Sequence, residues 1–465
     1  MRHVSVSPPV SLPNVFFFGN GKNGSFQGAD SATSSRMRSC LRSFVAVLFL
    51  GLSLVPPMCF MVLPNCSSSV RLKYTILMTA RVVFFAMVRE IEANSGSLEF
   101  DAFGLLFLMF TEASRTTEAT IEVNRPSSGL GARSTRDTTV RKFRTRQKVA
   151  AMYELYMDEL RFIEQGSYEF PVELEMSVPS VFTLCALVVE SFFEFPRMER
   201  RRCGGGSGDD DALSMSENKA YGTHLTLPDY YLQHFHHQSD GWLSSASARR
   251  WEFQVETRFI GSAGTMRRRA LPHIQKFMMG RDERETSVLD VASGTGQFLH
   301  FVRENFPDLM CTSVELSPYY LEAVRDVHKD FSYSGSLRLV NANAESLPFG
   351  KEEFDMVTNV YLFHELPAYA RVNVAKEVCR VLKPGGIFVF VDSAQLGDAK
   401  SRGGYFEDAL THSLNGFSEN HHEPYHKEYI NQSMVELFHK ETNLKHETTS
   451  VAFVSKVMVF SKPAS

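Results

Sequence analysis

The stretch Val288-Leu289-Asp290-Val291-Ala292-Ser293-Gly294-Thr295-Gly296-Gln297-Phe298 decides the fold of this chain. An apolar run at 287–292 reads as a buried strand, and residues 297–305 read as the helix that follows it. Gly294 and Gly296 lie in the turn between them, where a missing Cβ lets the backbone come close to a ligand. Outward from this turn, strands and helices alternate. Apolar runs at 311–316, 337–342, 354–360 and 387–392 predict four more strands. Leu321, Val324, Val327 and Phe331 give one crossover helix an apolar face, and Val374, Val378, Val381 and Leu382 do the same for a helix begun at Pro367. Lys383-Pro384-Gly385-Gly386 reads as the turn that ends that helix. Two late runs, 446–451 and 453–460, predict a terminal hairpin through Ala452. The expected fold is α/β, an open, doubly wound, mostly parallel seven-stranded sheet.

Glycines alone are a weak signal, so the company they keep matters. Glu315 stands 19 residues after Gly296, at the end of the second strand, where a carboxylate can accept both hydroxyls of a ribose. A dinucleotide fingerprint would need a third glycine where this chain has Leu299, which counts against a nicotinamide cofactor. Asn343-Ala344-Glu345-Ser346-Leu347-Pro348-Phe349 follows the third strand, then FDMVTNV at 354–360 and VLKPGG at 381–386. This set resembles the class I S-adenosylmethionine (SAM)-dependent methyltransferases, near the branch of the ubiquinone and menaquinone biosynthesis enzymes. The resemblance is strong over residues 285–395 and extends in outline over 225–465.

The resemblance implies a Rossmann-like methyltransferase fold over 221–465 with SAM as cofactor. Asp290 would then orient the amino group of SAM, Gly294 and Gly296 would border its carboxylate and sulfonium, and Glu315 would hold the ribose. Leu316, Asn343 and Ala344 would flank the adenine, and Asn359 would face the methyl group. Ala292 stands where many members of the family have glycine.

Candidates for the acceptor side come from position. His364 and Glu365 follow the fourth strand, on the rim where doubly wound sheets bind ligands. There His364 could deprotonate a hydroxyl, with Glu365 orienting it; a helix-capping or loop-bonding histidine is the plainer reading. His421-His422-Glu423-Pro424-Tyr425-His426 lies in a long insert, and such inserts serve as lids or binding loops. Of this run His422 and Tyr425 are the candidate catalytic residues, with Glu423 as a further pocket residue. Pro424 interrupts any helical pairing of the histidines, so no metal site is expected. Residues 229–242, rich in Tyr, His and Trp, suit either a cover over an aromatic ligand or a surface helix docked through Tyr231, Phe235 and Trp242. Arg267, Arg268 and Arg269 are expected on a solvated helix face.

The remaining sequence bounds the whole. Hydrophobic residues at 43% and charged residues at 22% predict a largely globular chain of 465 residues. Residues 1–150 carry 18 Lys+Arg against 9 Asp+Glu, leaving the rest at a net charge of -13. A basic start on an acidic body argues for a targeting extension and against nucleic-acid binding. Seven scattered cysteines without a C-x-x-C pair argue against a disulfide framework or structural zinc. Residues 1–36 read as disordered. At 37–64, Arg38 and Arg42 precede an apolar run from Phe44, the grammar of a signal or leader, of a membrane anchor, or of a buried helix. Residues 65–147 read as transit-like or linker, 148–199 as a helical segment, and 200–220 as a flexible linker. The expectation is an organelle-targeted, membrane-associated SAM-dependent enzyme that methylates a small, lipophilic, quinone-precursor-like acceptor. The alternatives are a soluble-metabolite or protein methyltransferase, and a degenerate fold kept as an assembly factor.

Overall fold

A computed structural model of the chain describes residues 133–171, 225–329, 333–398 and 406–464, together with Val70, Tyr74, Leu77, Met78, Arg81 and Val82. The expectations for residues 1–64, for the part of the 148–199 helical segment beyond residue 171 and for the linker at 200–220 lie outside the described residues.

Seven strands form one sheet: β1 (Ser287–Val291), β2 (Met310–Glu315), β3 (Leu337–Asn341), β4 (Phe354–Val360), β5 (Leu382–Ser393), β6 (Lys445–Ala452) and β7 (Ser455–Ser461), in the order β3-β2-β1-β4-β5-β7-β6. The first five run parallel, and β7 returns antiparallel between β5 and β6. The central strands are apolar on both faces because helices cover both, as a parallel sheet requires. Val288, Leu289, Val291, Met356, Val357, Phe388 and Phe390 are all fully buried. The order reverses beside β1, so the carboxyl ends of β1 and β4 open a crevice at the switch point.

Helices α1 (Arg133–Glu164), α2 (Ser245–Arg258), α3 (Ala263–Arg268) and α4 (Leu271–Met278) precede the sheet. Within and after it come α5 (Gln297–Asn305), α6 (Pro318–His328), α7 (Ala368–Val381), α8 (Glu407–Asn420), α9 (His426–Tyr429) and α10 (Met434–Glu441). Lys383–Gly386 does not simply end α7. Leu382 pairs with Phe354 and Ile387 with Met356, so the four residues bulge out of the start of β5. The terminal hairpin turns through Phe453-Val454, with Ala452 still paired to Ser455.

The N-terminal helix belongs to the same core. Leu155, Tyr156 and Leu160 of α1 are buried with Tyr74, Leu77, Met78 and Val82 against the domain. Glu159 anchors the join: its carboxylate takes Arg268 Nε at 2.6 Å, the Tyr74 hydroxyl at 2.5 Å and the Thr265 hydroxyl at 2.9 Å. Residues 133–147, expected as transit-like or linker, are thus the first half of a long helix, and Tyr74 lies in the core. The three arginines are not solvated either. Arg267 pairs with Glu252 at 2.5 Å, Arg268 is buried on Glu159, and Arg269 pairs with Asp158 at 3.1 Å. Each found a carboxylate on a neighbouring helix, which periodicity along α3 could not reveal. Among the described residues no helix is long and apolar enough to cross a membrane.

Candidate active site

The turn after β1 shapes one end of the crevice. Ala292, Gly294 and Gly296 all adopt left-handed backbone, with φ of 54°, 56° and 80°. For Ala292 that costs roughly 1–2 kcal/mol, strain of the kind that concentrates at functional sites. Gly296 caps α5, and a Cβ there would lie 2.9 Å from Val324 Cγ1. Gly294 is different: a Cβ there meets no protein atom within 4 Å, so its face is open.

Two buried carboxyls flank this turn. Glu315, at the end of β2, accepts the Gly294 N–H at 2.9 Å and the Ser317 N–H at 2.9 Å. Asp290 accepts the Thr358 hydroxyl at 2.7 Å through Oδ1, and its Oδ2 has no hydrogen-bond partner among the described residues. Burial pushes both carboxyls up to about 7, against the hydrogen bonds that favour their charged forms.

The loop after β4 shapes the other end. Tyr361 adopts φ of 59°, and residues 363–365 make a single tight turn. His364 Nδ1 lies 2.5 Å from Asp392 Oδ1, while Asp392 Oδ2 accepts the Phe363 N–H at 2.8 Å. His364 Nε2 faces Glu365 Oε1 at 3.4 Å, and the same oxygen stands 2.8 Å from His236 Nε2. His236 reaches there through a left-handed backbone, φ 56°. On its far side, His236 Nδ1 meets Arg258 Nη1 at 2.9 Å and Glu423 Oε1 at 3.6 Å.

Burial opposes charge on His364, but the carboxylates of Asp392 and Glu365 outweigh it and hold the imidazole well above its usual range. Burial likewise opposes charge on Glu365, yet His236 and His364 hold that carboxyl far below its usual range. His236 is pushed down by burial, and burial together with the Glu365 charge pushes Glu423 up. At neutral pH His364 is therefore an imidazolium against the Glu365 carboxylate, with Glu423 neutral.

These two ends line one cavity that opens to solvent at its mouth. Trp242, Trp251, Phe259, Tyr361 and Phe417 supply the apolar walls. Of the expected cofactor residues, Asp290, Ala292, Gly294, Glu315, Leu316, Asn343 and Ala344 line the cavity. Gly296 sits behind the turn as the helix cap. Asn359 is not in the lining; its amide donates to the Val291 carbonyl at 2.7 Å and braces the end of β1 instead.

On the acceptor side, His364 and Glu365 line the cavity, and His422 and Tyr425 do not. The Tyr425 hydroxyl accepts from Gln233 Nε2 at 3.0 Å, and the His422 ring packs tilted against His237 with centroids 5.3 Å apart. Their neighbours Glu423 and His426, three residues apart on either side of Pro424-Tyr425, line the cavity instead. Sequence reasoning assigned no role to His236, Arg258 or Asp392. The aromatic and histidine density at 229–242 was the available signal for His236.

The donors present suit SAM. An unpartnered buried carboxylate oxygen on Asp290 fits an ammonium group, Glu315 fits a ribose, and Gly294 leaves its face open. For a metal the fit is poorer. His236, Glu365 and Glu423 bring ligand-type atoms within 4.8 Å of one another. The two carboxylates approach opposite nitrogens of one imidazole, however, and the Arg258 guanidinium already stands at that group, which makes it a chain of polar contacts and not a coordination shell.

Comparison with known proteins agrees. Residues 288–386 match the family model described as a methyltransferase domain. A demethylmenaquinone methyltransferase of Listeria welshimeri is 33% identical over 116 residues, 25% of this chain and 48% of that protein. A ubiquinone/menaquinone biosynthesis C-methyltransferase of Azotobacter vinelandii is 31% identical over 120 residues, 25% of this chain and 46% of that protein. The chain thus spans about half the length of the curated relatives it matches. A solved structure from Pyrococcus horikoshii OT3 aligns at 20% identity and a TM-score of 0.31, covering 42% of this chain and 89% of that one. The motif set, the strand order and the family match together identify a SAM-dependent methyltransferase domain in this chain, matched over residues 288–386.

Proposed function

We propose that the protein transfers the methyl group of SAM to a small, lipophilic acceptor with a dissociable X–H, of the quinol type. The observation that carries this reading is the single cavity, with the Asp290–Gly294–Glu315 cradle at one end and a buried histidine–carboxylate array at the other. Bound SAM supplies an electrophilic methyl on a sulfonium, and the rest is positioning. Asp290 holds the ammonium group, Glu315 holds the ribose, and Leu316 and Ala344 take the adenine face. The aromatic walls exclude water and stack on a flat acceptor. Kinship with enzymes named for demethylmenaquinone and ubiquinone/menaquinone biosynthesis supports a quinol over a polar metabolite or a peptide.

The test is a methylation screen of the full chain with isotopically labelled SAM. Hydroquinones of graded tail length are run beside soluble phenols, carboxylic acids and peptides, with products read by mass spectrometry. Label in the hydroquinones supports the proposal, and label confined to peptides or soluble acids overturns it. The basic, apolar residues 37–64 support an organellar, membrane-associated setting. A fluorescent fusion of residues 1–150 that stays in the cytosol would contradict that part.

A further inference from the structure

We infer that Glu365 is the catalytic residue that docks the acceptor's X–H and takes its proton, and that His364, Asp392 and His236 act through it as positioning residues. This rests on the methyltransferase reading above and reverses the order in which the His364-Glu365 pair is read from sequence alone. In His364, Nδ1 is on Asp392 at 2.5 Å and Nε2 faces Glu365 Oε1 at 3.4 Å. His236 has Nδ1 on Arg258, and its Nε2 stands 2.8 Å from Glu365 Oε1. Both imidazoles converge on one oxygen of Glu365, Oε1. The other, Oε2, is buried in a cavity-lining side chain 5% exposed and has no hydrogen-bond partner among the described residues.

A buried carboxylate oxygen left bare costs stability unless something fills it in use. What it lacks is a donor. Glu423, the other carboxyl of the group, and Arg258 stand on the far side of His236. His426, which lines the same end, has Nε2 on the Ser393 hydroxyl at 3.1 Å and makes no hydrogen bond to Glu365. The donor to Glu365 Oε2 therefore comes from the ligand, and a hydroxyl on an aromatic acceptor is the chemistry that suits both this oxygen and the surrounding rings.

The step balances. The X lone pair forms the new bond to the methyl carbon, the carbon–sulfur bond breaks, and its electron pair stays on sulfur as a neutral thioether. The X–H proton passes to Glu365 Oε2, and the X–H electron pair remains on X. A sulfonium and a carboxylate are thereby replaced by two neutral groups, a change favoured where water is excluded. A weak base suffices, because an oxygen that is gaining a methyl group becomes strongly acidic. The role of His364 and Asp392 is to keep Glu365 ionised and aimed.

The probe is 4-nitrophenol, a phenol that ionises near neutral pH and changes colour when it does. First, S-adenosylhomocysteine (SAH) binding to the full chain is measured. Its absence from folded protein would sink the methyltransferase reading itself. With SAH saturating, the absorbance of bound 4-nitrophenol is then followed against pH. A carboxylate acceptor stabilises the phenol over the phenolate, so the wild-type protein should hold the probe in its colourless form at pH values where the free probe is already coloured. Glu365→Gln should remove that preference while SAH affinity stays within about twofold, as expected of a change that does not touch the SAH site. Glu365→Asp should restore it in part. Coloured phenolate on the wild-type protein, no uptake of the probe, or identical titrations for wild type and Glu365→Gln would each overturn the inference. The wild-type titration stands even if a variant does not fold.

Discussion

Gly294 and Gly296 are two residues apart in one turn, yet alanine should fail in different ways at each. Both have left-handed backbone, so either substitution costs about 1–2 kcal/mol of folding free energy. At Gly294 the added methyl meets no protein atom within 4 Å, so that backbone cost is the whole structural penalty. At Gly296 it would lie 2.9 Å from Val324 Cγ1 and 3.3 Å from Val324 Cα, which adds roughly 1–3 kcal/mol of overpacking. With about 2–4 °C per kcal/mol for a domain of this size, Gly294→Ala should lower Tm by roughly 2–8 °C and Gly296→Ala by roughly 4–20 °C. Ligand response should run the other way. SAH at a hundred times its Kd should stabilise wild type by about 2.7 kcal/mol, or roughly 5–10 °C. Gly294→Ala fills the cradle and should lose most of that shift although it is the better folded variant. Thermal melts with and without SAH decide the matter. A full SAH shift in Gly294→Ala, or a Gly296→Ala no less stable than its neighbour, would refute the assignment of Gly294 to the ligand and Gly296 to the fold.

Other expectations follow from the same geometry. Glu159→Ala leaves Arg268 buried without its carboxylate and should destabilise by about 3–5 kcal/mol in urea titrations, while Glu159→Met with Arg268→Leu should recover most of it. Asp290 and Glu315 are both raised by burial to about 7, above their unfolded values, so the native state binds more protons than the unfolded chain between about pH 4 and pH 7. Their contribution to stability is therefore present at acid pH and lost as pH rises towards 7. SAM, which needs the carboxylates, should bind more tightly as pH rises from 5.5 to 7, by up to about tenfold per unit for each proton released, with a proton count that calorimetry in two buffers can read. Trp242 and Trp251 are the two tryptophans of the chain and both line the cavity, so quenching of intrinsic fluorescence should follow its filling. His422→Ala, outside the lining, should leave turnover within about twofold of wild type, whereas an effect of ten-fold or more would return His422 to the site.

The lining at the glycine-turn end of the cavity was legible in the sequence because it is local. One strand, one glycine turn and one helix carry Asp290, Gly294 and Gly296, and Glu315 falls at the end of the next strand. Asn359 went astray because alternation along β4 tells which residues are interior but not that an amide will brace the neighbouring strand. The acceptor half was read less well because it is assembled from distant segments. His236 enters through a left-handed turn that no periodicity signals, Asp392 reads as one more residue of a buried strand, and the register past Pro424 decides whether His422 or Glu423 faces inward. Ser-, Thr- and Arg-rich composition disguised the start of α1, although Arg, Gln and Lys favour helix well enough. The buried partners of Arg267 and Arg268 lie on other helices, where only tertiary packing brings them together.

The most direct test of the central claim is calorimetric titration of the full chain with SAH, beside Glu315→Ala. The account predicts one site of micromolar affinity, weakened ten- to a hundred-fold when the ribose-holding carboxylate is removed, a loss of about 1.5–3 kcal/mol. Folded protein that gives no binding heat, or Glu315→Ala that binds as tightly as wild type, would contradict it.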